Sequence, residues 1–264
     1  MRLVLAVAGA AILASPAAGG GFPRFGAGCA RHDFRSGGAT VRAELCRASG
    51  DSGAVVVVLH GCGGFSTFDH RIVTTLPQDG ISTLDVDYFG PTPPPGTKGF
   101  CDGGGFGGFG FTNPFAVWVQ EAQDAARSLR ATPGIHRVGI VGWSLGGAVA
   151  LRAAAGPKGS RPFAALAGFS TGGFRSASLA SQLPPTILLS GGRTDAIPLS
   201  MTLPLYQALR AAHVPAQLYV YPRGSHNWPG RQGTLGIEHA AAFLRRYLGQ
   251  PLTACRPARE DPAR

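Results

Sequence analysis

Gly142-Trp143-Ser144-Leu145-Gly146 sets a serine between two glycines in Gly-x-Ser-x-Gly spacing. A serine hydroxyl is a weak nucleophile until a neighbouring base takes its proton. The flanking glycines let such a serine stand on a sharp turn whose backbone closes tightly on itself. In a chain with 40 glycines the motif alone carries little weight, so its surroundings decide. Arg137 to Val141 reads as a strand that ends at the motif, and Leu145 to Ala155 as a small-residue helix that leaves it. That strand–turn–helix setting is a nucleophile elbow, which would raise the Ser144 hydroxyl above the end of a sheet.

The base and its orienting acid should follow the serine in chain order, each just past a strand. The strand read over Thr186 to Leu189 runs into Ser190-Gly191-Gly192-Arg193-Thr194-Asp195, and that over Ala216 to Tyr221 into Pro222-Arg223-Gly224-Ser225-His226. His226 would serve as general base and then general acid, with Asp195 holding its imidazole in the useful tautomer. The plainer alternatives are a loop-capping Asp195 and a His226 packed on Trp228. Asp85 and Asp87 are rival acids that precede Ser144, the wrong order. Of the other histidines, His60 ends an early strand, His136 starts one, and His239 falls in a helix. Donors for a developing oxyanion would be the backbone N–H of Leu145 and that of Cys62, in His60-Gly61-Cys62-Gly63-Gly64-Phe65. The alternative is that this glycine cluster is only a tight turn. Tyr88, Phe89, Trp143 and Trp228 are the candidates for lining a substrate pocket. Cysteines without Cys-x-x-Cys spacing give no metal site, and no cofactor is expected.

These residues need elements to position them. Ala54 to Leu59 is a continuous Val-rich run, read as a strand buried on both faces. Ser66 to Leu76 reads as a helix capped by Ser66, Ile81 to Val86 as a strand, and Pro114 to Thr132 as an amphipathic helix. Further on, Phe163 to Phe169 reads as a strand, and Leu203 to Ala212 and Ile237 to Leu248 as helices. Strands alternating with helices predict an α/β domain over residues 54–250, with a mainly parallel, doubly wound sheet and helices on both faces. Ahead of it, 19–53 carries a hairpin turning at Ser36-Gly37-Gly38. A Gly/Phe-rich insertion at 89–115 is too long for an ordinary connection and reads as either a flap or a disordered insertion. Residues 251–264 form a tail.

Residues 1–18 have one arginine, about a dozen apolar residues, then small ones, which is the pattern of a secretory signal. Export to the periplasm or outside the cell is therefore expected, with no membrane association after cleavage. Cys29, Cys46, Cys62, Cys101 and Cys255 would then meet an oxidising compartment, where Cys29 with Cys46 and Cys62 with Cys101 could pair. The net charge of +10 is almost all arginine, lysine occurring only at Lys98 and Lys158. It is scattered without a basic run, so a nucleic-acid partner is not expected.

Taken together, the motifs resemble the dienelactone hydrolase family of α/β-hydrolases. The matching pieces are Leu59 to Gly64, Asp87-Tyr88-Phe89-Gly90-Pro91, Gly142 to Gly147, the Asp195 loop and Tyr221 to His226. The resemblance implies the α/β-hydrolase fold, with about seven or eight strands, and a nucleophile–His–acid triad. It departs from the family's namesake in having a serine nucleophile where the namesake has cysteine. It also has His60-Gly61-Cys62 where the namesake has a glutamate. The dienelactone substrate is accordingly not carried over. A weaker likeness runs to secreted polyhydroxyalkanoate depolymerases and feruloyl-type esterases. The function expected is an exported serine hydrolase acting on small carboxylic esters. A peptidase or amidase on the same triad and a non-catalytic binding protein are the rivals.

Overall fold

The computed structural model describes residues 28–50, 52–91, 113–172, 176–192 and 195–249. The segment read as an export signal, most of the 89–115 insertion, Cys101, Cys255 and the 251–264 tail lie outside them.

The described residues open with four short strands, β1 (Cys29–Arg31), β2 (Phe34–Ser36), β3 (Ala39–Val41) and β4 (Ala43–Cys46). β2 and β3 form the expected hairpin, turning at Gly37 and Gly38, whose φ of 53° and 87° suit glycine. β1 pairs antiparallel with β4, which sets Cys29 opposite Cys46 in a disulfide. There follow β5 (Ala54–Leu59), α1 (Thr67–Gln78), β6 (Ser82–Val86), α2 (Asn113–Arg130), β7 (Arg137–Trp143), α3 (Leu145–Ala154) and β8 (Leu166–Phe169). After a 3₁₀ segment at Ser176–Gln182 come β9 (Thr186–Ser190), α4 (Leu199–Ala211), β10 (Ala216–Val220) and α5 (Gly230–Leu248).

Eight strands make one sheet in the order β1-β4-β6-β5-β7-β8-β9-β10. The six from β6 to β10 run parallel, and β4 joins β6 antiparallel. Along β5 the pleat divides the valines between two cores. Val55, Val57 and Leu59 join a core with residues of α2, α3 and α4. Val56 and Val58 join the other, with residues of α1 and α5. The sheet is thus covered on both faces, and the fold is the α/β hydrolase type.

Ser66 caps α1 as expected: its hydroxyl accepts from the N–H groups of Phe68 and Asp69, while Asp69 accepts from the Ser66 N–H. Two helices begin earlier than their periodicity suggests. α4 starts at Leu199, with Pro204 inside it. α5 starts at Gly230 because its first turns are packed through glycine. A Cβ on Gly233 would lie 2.1 Å from the Trp228 carbonyl, and one on Gly236 would lie 3.1 Å from both the Phe169 and Trp228 rings. β8, read from Phe163, forms only from Leu166.

β6 departs from β5 to one side and β7 lies on the other, so the loops after β5 and β7 flank a topological switch point. Ligands of open α/β sheets bind at such points, beyond the carboxyl ends of the strands.

Candidate active site

β7 runs into Ser144, the residue that caps α3. Its backbone is held at φ 56°, ψ −118°, which a side chain with Cβ rarely adopts. The flanking glycines make this turn possible: a Cβ on Gly142 would lie 2.2 Å from the Gly146 carbonyl oxygen. The Ser144 N–H donates to the Phe169 carbonyl at 3.0 Å, tying the turn to the end of β8.

His226, on the loop after β10, brings Nε2 to 2.8 Å from Ser144 Oγ. Its Nδ1 lies 2.7 Å from Asp195 Oδ1, on the loop after β9. An ionised carboxylate only accepts, so Nδ1 carries the proton and Nε2 offers its lone pair to the serine hydroxyl. Asp195 is 6% exposed and well supported. Its Oδ2 accepts from the Ser170 hydroxyl at 2.5 Å and the Gly191 N–H at 2.9 Å, and its Oδ1 from the Ile197 N–H at 3.0 Å. Burial opposes its charge, but the bonds from His226, Ser170 and Ile197 outweigh burial and hold the carboxyl below its ordinary value.

The loop after β5 meets the elbow closely. A Cβ on Gly146 would lie 2.3 Å from the Leu59 carbonyl oxygen and 2.4 Å from that of His60. One on Gly61 would lie 2.7 Å from the Trp143 ring. The Gly61-to-Gly64 turn is closed by the Gly64 N–H on the Gly61 carbonyl at 3.1 Å, and Cys62 within it is disulfide-bonded. Leu145 is the first residue of α3, where a helix has no internal acceptor for its N–H groups.

The rival residues stand elsewhere. Asp85 is fully buried on β6, where burial first, then Asp69, pushes its carboxyl well up. Asp87 pairs with Arg42 at 2.5 Å. His136 is exposed at the start of β7, the opposite end of the sheet, and His239 meets the Tyr221 hydroxyl at 2.6 Å. His60 is fully buried among Phe65, Tyr88 and Phe89, and burial lowers it to about 4, so it is neutral.

The four aromatic candidates divide. Phe89 is half-buried, and Trp143 donates its indole N–H to the His226 carbonyl at 2.8 Å. Tyr88 and Trp228 are fully buried, which corrects the expectation that they line a pocket. Tyr88 donates to the His60 carbonyl at 2.7 Å, and Trp228 packs against Phe68, Phe169 and Tyr221. Arg223 and Arg231 are exposed.

Residues 108–245, just over half of the chain, match the dienelactone hydrolase family. The chain belongs to that family. No curated protein matches it in sequence. Among solved structures it is similar to dienelactone hydrolase from Anabaena variabilis at 22% identity, covering 84% of this chain and 99% of that one, with a TM-score of 0.65. It is similar to a dienelactone-hydrolase-like promiscuous phosphotriesterase from metagenomic libraries at 19% identity, over 84% and 98% of the two chains, with a TM-score of 0.67. A third, acylaminoacyl peptidase of Pyrococcus horikoshii, is 15% identical and has a TM-score of 0.63. That match covers 86% of this chain but 43% of the peptidase. These likenesses show a shared fold.

Sequence reading overlooked Ser170, which is fully buried and bonded to Asp195. It directly follows the strand neighbouring the elbow, at the same level as Ser144, a placement set by the sheet pairing and not by the local sequence. No group of residues suited to a metal ion occurs among the described residues.

Proposed function

We propose that this member of the dienelactone hydrolase family is an exported serine hydrolase that cleaves small carboxylic esters through an acyl-enzyme. The observation that carries this reading is the unbroken hydrogen-bonded series from Ser144 Oγ through His226 to Asp195, standing on a strained elbow. As the Ser144 oxygen bonds to the acyl carbon, His226 Nε2 takes its proton. Asp195 stabilises the imidazolium without taking up a proton itself. The carbonyl oxygen gains the displaced electron pair and faces the N–H groups of Cys62 and Leu145. His226 returns its proton to the departing alkoxide. A water molecule then attacks the acyl-enzyme, giving its proton to His226, which passes it to Ser144 Oγ as the bond to the acyl carbon breaks and the carboxylic acid leaves. No cofactor enters these steps. Phe65 and Phe89, both half-buried beside the loop after β5, favour an apolar acyl group. We read residues 1–18 as the export signal and 54–250 as the catalytic domain, and the Cys29–Cys46 disulfide fits that destination.

The test is turnover of p-nitrophenyl esters from acetate to decanoate, beside the matching p-nitroanilides. The reading expects ester cleavage that falls at least a thousandfold in Ser144→Ala. Anilide cleavage faster than ester cleavage would favour a peptidase. Ester cleavage undiminished in Ser144→Ala would overturn the assignment of the nucleophile.

A further inference from the structure

Behind Asp195 lies a second set of hydrogen bonds that the triad itself does not need. Trp228 Nε1 donates to Ser170 Oγ at 2.8 Å, and Ser170 Oγ donates to Asp195 Oδ2 at 2.5 Å. The direction is fixed by chemistry: an indole N–H can only donate and a carboxylate can only accept. The hydroxyl between them therefore has one arrangement, with its proton on the Asp195 side. Both donors are fully buried, so water cannot substitute for either.

The backbone supports the same residues. Four described residues other than glycine have positive φ: Ser144 at 56°, Ser170 at 44°, His213 at 54° and Trp228 at 50°. Three of the four belong to this one series. Strain of this kind persists only where the surroundings hold it, and it gathers at functional sites. Here the surroundings are explicit. The Ser170 N–H donates to the Leu189 carbonyl at 2.8 Å, and Arg71 of α1 donates to the Trp228 carbonyl at 3.0 Å. Arg71 also reaches Gly230 and Thr234, so one arginine of α1 clasps the turn bearing Trp228.

We propose that Ser170 is a positioning residue of the triad: with Trp228 behind it, it fixes the Asp195 oxygen that does not face His226 and disperses part of the carboxylate charge. This inference rests on the triad reading above. Among the described residues, His226 is the titratable side chain hydrogen-bonded to Asp195. Without the Ser170 donor, more of the Asp195 charge would fall on the imidazole, and the imidazolium form would persist to higher pH. The base would then become available later in a titration.

The experiment compares wild type with Ser170→Ala, Ser170→Gly, Trp228→Phe and Ser144→Ala, using p-nitrophenyl acetate from pH 5 to 9, with melting temperatures alongside. Ser170→Gly removes the hydroxyl and relieves the backbone strain together, so it keeps the test open if Ser170→Ala fails to fold. Both Ser170 variants are expected to lose about ten- to a hundredfold in kcat, the range for removing one charge-assisted hydrogen bond, with KM little changed. The acid limb of kcat/KM should move to higher pH. Trp228→Phe should move it the same way by less, since the hydroxyl keeps its bond to Asp195. Wild-type kcat and an unmoved limb in Ser170→Gly would overturn the proposal and leave the triad standing. So would a loss that merely follows the fraction of folded protein, with no movement of the limb. Activity surviving in Ser144→Ala would instead bring down the triad reading, and this proposal with it.

Discussion

Ser144 occupies a conformation that a side chain with Cβ holds at a cost of about 1–3 kcal/mol, while glycine holds it with little penalty. Ser144→Gly should therefore be more stable than Ser144→Ala by about 1 kcal/mol, and both should be inactive. Paired thermal melts check this, and equal melting temperatures would mean the elbow is unstrained. Much at this scale is legible in the sequence. Ser144, Asp195 and His226 announce themselves because each follows a strand and the three come in a fixed order. Ser170 does not, because nothing local separates a buried hydroxyl from any other serine at a strand end. Its meaning depends on Trp228, which is 58 positions away. Trp228 was legible as an important aromatic but misread as a pocket wall. Only the packed structure puts its ring inside and its N–H on Ser170.

At the scale of elements, the site is a junction between the loop after β5 and the turn after β7. Gly146 is where the two touch. A Cβ there meets the carbonyl oxygens of Leu59 and His60, both main-chain atoms at the end of a central strand that cannot swing aside. Gly146→Ala should cost about 1–3 kcal/mol, the usual penalty for overpacking, and should reduce turnover further by prising the loop after β5 from the elbow. Chemical denaturation beside ester assays would measure both effects, and an Ala variant of wild-type stability and activity would contradict the proposed junction. β5 is legible to the residue, because its Val-rich run is bounded by glycine and polar turns, whereas β8 is read three residues too early because Phe163 and Ala164 continue its apolar run. The start of α5 is not legible, because Gly233 and Gly236 read as loop residues although they are the face that packs on Trp228. The 3₁₀ segment Ser176–Gln182 has no periodicity long enough to betray it.

For the whole molecule, stability should depend on pH through buried groups outside the Ser144–His226–Asp195 series. Glu121 of α2 is 1% exposed, and burial first, then Asp87, raises it from 4.5 to about 8. A raised acid contributes stability that is whole below its unfolded value and is lost as pH climbs through its folded one. His60, lowered by burial from 6.5 to about 4, acts in the opposite sense: its contribution is whole above 6.5 and is lost as pH falls through 4. Glu121→Gln should therefore match wild type near pH 4 and exceed it at pH 9 by at least about 1.4 kcal/mol, the equivalent of one pKa unit. Melting curves at the two pH values decide, and an equal difference at both would rule out this linkage. The central claim is an activated serine at the switch point of the sheet, and labelling with a fluorophosphonate tests it most directly. The full chain is expressed with export, treated with the probe, and read by intact mass and peptide mapping. The account predicts one adduct, on Ser144, absent from Ser144→Ala and greatly slowed in His226→Ala. No adduct on the folded protein, or an adduct on another residue, would contradict it.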